Sequence, residues 1–320
     1  MDAGVARVVR LAGRRAVEAV PLLLGVSAIA FGLLQLVPGG PLEVYLSNPG
    51  VRPEDLERLR RALGLDRPIW QQYVSWLTAF ALGDWGYSFS DGRPVLTRVV
   101  ERLPASLELL AASLVLALAA ALPAGVVAAV KARTAVDRAL TAVASAGLAI
   151  PTFWFGLMLQ LVFAIGLGWL PSSGRGPDGD LLLRLQHLAM PAVVLAFVHA
   201  AVWSRYLRAA LVDVLAAPFV TAAGARGLSR PERLWRHALP NAVAPVATVV
   251  LLDAALLVPG AVVTESVFAW PGVGSLFTEA LGRRDYTVLM AMLMVSSLAV
   301  VVFNLAADVV HAWLDPRVAA

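Results

Sequence analysis

Long apolar runs, separated by short charged stretches, organise this chain. Six predominantly apolar runs extend from about Val20 to Val37, Leu109 to Val130, Ala139 to Gly168, Leu188 to Ser204, Asn241 to Val263 and Tyr286 to Ala307. A helix needs roughly 20 apolar residues to cross the hydrocarbon core of a bilayer. The pattern therefore predicts an all-α polytopic membrane protein with about six transmembrane helices. The third run is too long for one straight crossing, and Pro151 and Gly156 within it predict a kink, a tilt or an end lying at the interface. Pro21, Pro123, Pro191, Pro245 and Pro259 also fall within apolar runs. In a soluble helix interior each would cost about 3 kcal/mol. In a membrane bundle neighbouring helices satisfy the freed carbonyls, so these prolines read either as packing kinks or as hinges of a moving bundle.

Composition agrees with the pattern. The 320 residues are 59% hydrophobic and only 15% charged, with mean hydropathy +0.75, whereas soluble domains carry about 25% charged residues. Arginines set an orientation. Arg7, Arg10, Arg14 and Arg15 precede the first run, and Lys131, Arg133 and Arg138 lie between the second and third. Arg205, Arg208, Arg226, Arg230, Arg233 and Arg236 lie between the fourth and fifth. The opposite short loops hold Arg175 and Arg184, then Arg283 and Arg284. The positive-inside bias places both termini and the 205–240 loop in the cytoplasm. It also accounts for the pI of about 9.9, and no soluble basic domain is present to bind nucleic acid. The first run lacks a small-x-small cleavage site before Pro38 and reads as a retained anchor. Trp169 and Trp313 sit at run ends, where interfacial aromatics gather. The chain divides into an N-terminal tail with its anchor helix (1–37), an extracytoplasmic segment (38–103) and a core membrane domain (104–315) with a cytoplasmic loop (213–240).

That loop, PFVTAAGARGLSRPERLWRHALP from Pro218 to Pro240, is polar and basic between two apolar runs. Pro218 suits a helix start, Gly227 a break, and Ser229 an N-cap with Arg230 and Pro231 following it. Ala222, Ala223, Gly227, Leu239 and Pro240 fall on the spacing of a known permease loop that this segment resembles, and Leu228 and Ser229 on its peptide-permease version. The loop resembles the EAA loop of binding-protein-dependent ABC importer permeases, a helix–turn–helix that docks on a cytoplasmic ATPase. Thr221 stands where that family has Glu, and His237 where it has an apolar residue. Pro218 and Phe219 replace a common Asp-Tyr. AGARGLS, residues 223–229, resembles the peptide-permease version of the loop.

Two further blocks carry the same resemblance to dipeptide and oligopeptide permeases. Residues 63–104 contain Leu-Gly-Leu-Asp-Arg-Pro, Gly-Asp-x-Gly-Tyr-Ser and Glu-Arg-Leu-Pro in family order. Within them, 71–82 is expected on the membrane surface, anchored by Trp70, Tyr73, Trp76 and Trp85, as a cap on the pore mouth or a contact for a binding protein. Pro53 to Gly64 has helix punctuation, with Leu56, Leu59 and Leu63 on one apolar face. The C-terminal block has Glu265 and Phe268 before Trp270, Pro271, Gly272 and Gly274, then Arg-Asp-Tyr and a final Asp-Pro-Arg. Trp270 to Gly274 is expected to form a tight turn at the outer face, with glycine supplying positive φ.

The resemblance implies a type I ABC importer permease fold in the bacterial inner membrane. It also implies a second homologous permease subunit, two ATP-binding subunits, an extracytoplasmic solute-binding protein and a di- or oligopeptide solute. ATP and Mg would be used by the partner ATPases, with no cofactor or metal bound by this chain. Nickel, opine, glutathione and oligosaccharide importers share the permease type. A non-transport membrane subunit and a membrane enzyme are alternatives of other classes, but no HExxH and no GxxxxGK[ST] occurs. With no cysteine, thiolate chemistry is excluded. Asp253 is the charged residue inside the fifth run. Such a carboxylate is costly unless paired or facing water, so it reads either as a lining residue of the translocation path or as a structural partner for a polar group. Glu265 and Glu279 are expected to make ordinary hydrogen bonds near the outer face, and Glu108 to be an interfacial or packing charge.

Overall fold

The computed structural model describes residues 3–36, 52–62, 64–254 and 257–314, and its regular elements are helical. In chain order they are α1 (Ala3–Gln35), α2 (Pro53–Ala62), α3 (Ile69–Ala81), α4 (Val95–Val130), α5 (Ala135–Ala149), α6 (Thr152–Leu159), α7 (Leu181–Leu215), α8 (Pro218–Ala225), α9 (Leu239–Ala254), α10 (Leu257–Val267), α11 (Val273–Gly282) and α12 (Tyr286–Leu314). Helical stretches at Ala12–Gln35, Val95–Val130, Leu181–Leu215, Arg230–Ala254 and Tyr286–Val309 are long and apolar enough to cross a membrane. The third apolar run is bent. Ala135–Ala149 and Thr152–Gly166 meet at 102°, with Ile150 extended and Pro151 capping α6. Proline disfavours helical geometry in the residue before it, so the expected kink falls at Ile150. The described residues of the fifth run are helical on both sides of 255–256. Helix α9 ends at Ala254, and α10 begins at Leu257 with Pro259 in its first turn.

The centre of the bundle is α4 packed on α7. Along α4 the buried positions Ala105, Leu109, Ser113, Ala117, Ala121 and Gly125 recur every fourth residue, with Ala128 and Ala129 closing the row. Small side chains let two membrane helices approach closely. Gly125 shows how closely: a Cβ there would lie 2.9 Å from both the Ser204 carbonyl and the Leu207 side chain. Ser113 returns its hydroxyl to the Leu109 carbonyl at 2.7 Å, which satisfies it within the row. Pro104, Pro123, Pro191 and Pro245 all lie inside helices.

The aromatics of α3 pack on α1. Tyr73, Trp76, Phe80 and Trp85 form successive ring contacts that begin at Phe31 of α1, with centroids 4.7–6.2 Å apart. Tyr73 Oη and Ser27 Oγ are 2.8 Å apart. Such ring pairs contribute beyond the apolar area they bury, and Trp70 alone of the expected anchors stays largely outward, at 65% exposure. Helix α2 forms over Pro53–Ala62, while its leucine face lies outside the described side chains. Residues 84–94 fold as a small hairpin closed by the Tyr87–Pro94 bridge, and α4 starts directly after it at Val95 rather than near 104. Buried Asp285 pins the hairpin. It accepts from Ser88 Oγ at 2.5 Å, Phe89 N at 3.2 Å and Ser90 N at 3.3 Å.

Candidate functional site

The two ends of the bundle are built differently. At one end, α8 lies across the bases of α4, α7 and α9. Ala217 is extended, Pro218 starts α8, Val220 packs with Leu207, Leu211, Ala238, Ala242 and Val246, and Ala223 is also buried. Thr221 and Ala222 face outward, so the absence of a glutamate at 221 leaves the packing untouched. The chain reverses at Gly227, whose φ is +92°. No atom lies within 4 Å of where its Cβ would be, so backbone conformation alone demands glycine there. Leu228 N then donates to the Ala223 carbonyl at 3.3 Å, closing the turn.

Ser229 caps the second limb. Its Oγ accepts from Glu232 N at 3.4 Å, while the Glu232 carboxylate accepts from Ser229 N at 2.9 Å. This reciprocal capping box satisfies two amides that a helix start leaves without intrahelical partners. The second limb is not the separate short helix expected from the sequence. The turn Arg230–Glu232 widens into a π-helical segment, Arg233–Ala238, and runs directly into α9, with Leu239 and Pro240 in its first turn. Arg230–Ala254 is thus one continuous helical stretch. A second brace ties this end together. Arg208 of α7 grips Asp137 at the start of α5 with Nε–Oδ1 at 2.5 Å and Nη2–Oδ2 at 2.6 Å, and Arg133 N donates to the same carboxylate at 2.7 Å.

Midway along the bundle, Asp253 meets α7. Its Oδ2 lies 2.8 Å from His199 Nδ1 and accepts from Trp203 Nε1 at 2.7 Å. His199 and Trp203 are one helical turn apart, so one face of α7 supplies both partners. The side chain is 18% exposed.

The opposite end is closed by the Trp270–Gly274 turn. Trp270 is fully buried, and its indole Nε1 donates to the Ala105 carbonyl of α4 at 2.8 Å. The expected positive φ at glycine is not the reason for this sequence. Ala269 carries the left-handed conformation, with φ +46°, while Gly272 is extended at φ −103°, ψ −174°. Glycine is required for close approach instead: a Cβ on Gly272 would fall inside the Glu265 carboxylate, and one on Gly274 would lie 2.6 Å from Val262 Cα. Glu265 is fully buried, accepting from Ser106 Oγ at 2.6 Å and Ser275 N at 3.0 Å. Ser106 Oγ in turn accepts from Val273 N at 2.8 Å. At this end Glu108 accepts from Arg184 Nε at 2.5 Å and Arg175 Nε at 3.0 Å.

The sequence profile of the family described as "Binding-protein-dependent transport system inner membrane component" matches residues 121–320. The profile of the corresponding N-terminal component matches residues 8–110. The chain belongs to this permease family. Among its relatives are the oligopeptide transport system permease protein AppB of Bacillus subtilis, 38% identical over 95% of this chain and 98% of the relative, and the di/tripeptide transport system permease protein DppB of Pseudomonas aeruginosa, 35% identical over 93% and 95%. The dipeptide transport system permease protein DppB of Escherichia coli K12 is 32% identical over 95% and 97%. A chain of the inward-facing MetNI methionine ABC transporter shares the fold, with a TM-score of 0.58 and 18% identity over 69% of this chain and 98% of that one.

The permease is thus a multi-pass protein of the inner membrane, and its loop residues 221–229 and 239–240 come together as one folded unit. Asp253 and the Trp270 turn lie in separate parts of the bundle. The Ser-x-x-Glu spacing of Ser229 and Glu232 was legible as a capping signal. The pairing of Arg208 with Asp137, 71 positions apart, has no local signature.

Proposed function

We propose that this permease is one of two transmembrane subunits of an ATP-binding-cassette importer that carries di- or oligopeptides inward by alternating access. The observation that carries this reading is the loop: a short helix, a glycine reversal and a capped limb continuous with a span, packed on three membrane helices. A rigid element of this kind passes a partner's rigid-body motion into the bundle. Two ATPase subunits dock there, a homologous permease completes the pore, and a solute-binding protein delivers peptide at the Trp270 end. The arginine bias supports a cytoplasmic position for the loop and both termini. Peptide as the solute is supported by the relatives, which are named as oligopeptide, di/tripeptide and dipeptide permeases.

Asp253 is a candidate lining residue of the path. A carboxylate turned to lipid would be costly, so its exposed side faces water or a neighbouring subunit. Two donors fix Oδ2, and Oδ1 is left to meet the ammonium of a passing peptide. The test is ATP-dependent uptake of labelled di- and oligopeptides into proteoliposomes holding the complete complex and its binding protein, with nickel and an oligosaccharide as competing solutes. Peptide accumulation that needs ATP supports the reading. Accumulation of nickel or sugar in its place overturns the substrate, and no ATP-dependent uptake of any of them overturns transport. Labelling a cysteine at position 229 with a membrane-impermeant reagent tests orientation: reaction in intact cells would overturn the cytoplasmic placement.

A further inference from the structure

The loop carries an electrostatic imbalance that the bundle does not resolve. From Pro218 to Ala238 the chain has Arg226, Arg230, Arg233 and Arg236 against the single carboxylate of Glu232. Glu232 is committed to the Ser229 capping box. Among the described residues, no carboxylate lies within salt-bridge distance of any of these four arginines.

Arg233 differs from the other three in its position. Its side chain folds back from the second limb onto α8, where it covers Gly224; a Cβ on Gly224 would lie 2.7 Å from Nη1 and 3.3 Å from Cζ. The guanidinium thus lies over Gly224, between the two limbs. Its Nε is buried and has no hydrogen-bond partner among the described residues. A buried donor left unmade is costly, and more so on a charged group. Beside it the loop exposes two large apolar side chains, Phe219 at 48% and Trp235 at 61%. Aromatic and arginine side chains together are the usual anchors of a protein interface.

We propose that Arg233 is the ionic anchor of this loop and that its ligand is a carboxylate of the partner ATPase, presented from a groove whose apolar walls take Phe219 and Trp235. This rests on the reading that the loop docks on an ATPase, and it adds the sign of the contact. The permease supplies the cation, and position 221, where the related loops have an acid, supplies none. A planar guanidinium meets a carboxylate with two parallel hydrogen bonds. Docking over the groove would take the pair out of water, where losing one partner is most costly.

The test uses the intact complex, purified through a tag on this chain. In Arg233→Lys the amine can attack a neighbouring carboxylate activated by a water-soluble carbodiimide. An amide forms between the two side chains, and the carbodiimide leaves as its urea. The expected result is a cross-linked peptide joining Lys at 233 to an Asp or Glu of the chain that carries the P-loop. In parallel, Arg233→Met, which fills the same groove without charge, should lower ATPase retention in detergent by at least about tenfold. Arg233→Lys should retain most of it. Reversing both charges, Arg233→Glu with Arg at the cross-linked acid, should restore retention. A cross-link confined to this chain, or wild-type retention and uptake in Arg233→Met, overturns the proposal. Should Arg233→Met not purify as a monodisperse protein, the cross-link alone decides. If Phe219→Ala releases the ATPase while Arg233→Met does not, docking stands and the ionic anchor falls. If neither variant has an effect, the docking reading itself falls.

Discussion

Replacing Gly272 by alanine isolates one physical effect. At φ −103°, ψ −174° the backbone of Gly272 is in a region open to any L-residue, so alanine introduces no backbone strain. The whole penalty must come from the added methyl, which lands on the Glu265 carboxylate. That carboxylate is fully buried and cannot swing into water. To move it must surrender its bonds from Ser106 Oγ and Ser275 N. Hydrogen bonds to charged groups contribute about 1.5–3 kcal/mol each, so losing both costs about 3–6 kcal/mol. Unfolding of the purified permease in detergent, followed by tryptophan fluorescence, should show a loss of this size. The same substitution in a Glu265→Ala background meets an empty space and should lie within about 0.5 kcal/mol of neutral. A Gly272→Ala effect of equal size in both backgrounds, or none in either, would refute the argument that the carboxylate excludes the side chain.

Gly227→Val places a β-branched residue at φ +92°, a conformation such residues rarely adopt; ATP-driven uptake should fall steeply while the spans still insert, and normal uptake would count against the loop as the coupling element. Trp270→Phe keeps the ring but leaves the Ala105 carbonyl of α4 without its donor, a loss of about 1–3 kcal/mol in the same unfolding assay. Ser229→Ala removes the cap at the start of the second limb and should cost about 1 kcal/mol, seen as faster amide hydrogen exchange at 230–234 with the rest of the bundle unchanged. Asp253→Asn keeps size but removes charge: if Asp253 lines the path, uptake of cationic peptides should drop relative to anionic ones at unchanged complex yield, and equal uptake of both would remove it from the path.

Hydrophobic periodicity determines most of the architecture, because a bilayer leaves helices as the main way to satisfy a crossing backbone. The spans, the kink at Pro151 and the Ser229 cap follow from residues within one or two turns of each other. The cap and the Gly227 reversal are local chemistry, so the candidate loop was legible as a loop with a helix before its turn. The extent of its second limb is not legible there, since whether a capped turn stops or runs on into a span depends on how Ala238 and Ala242 pack against α7. The aromatic positions on α3 carry no mark of their packing on Phe31 of α1; only the docking of two helices distant in sequence shows it. The glycines at 272 and 274 read locally as positive-φ positions, and the fold gives them a different reason. A sequence shows that a residue lacks a side chain, and a tight turn is the local explanation. The actual cause is a carboxylate on the preceding helix, brought in by the fold. Asp253 is the same lesson in charge: its presence was plain, but its partners are 54 and 50 positions away. Short-range interactions were written in the order of the residues, whereas contacts between helices exist only after the bundle has closed and small side chains have let α4 and α7 approach.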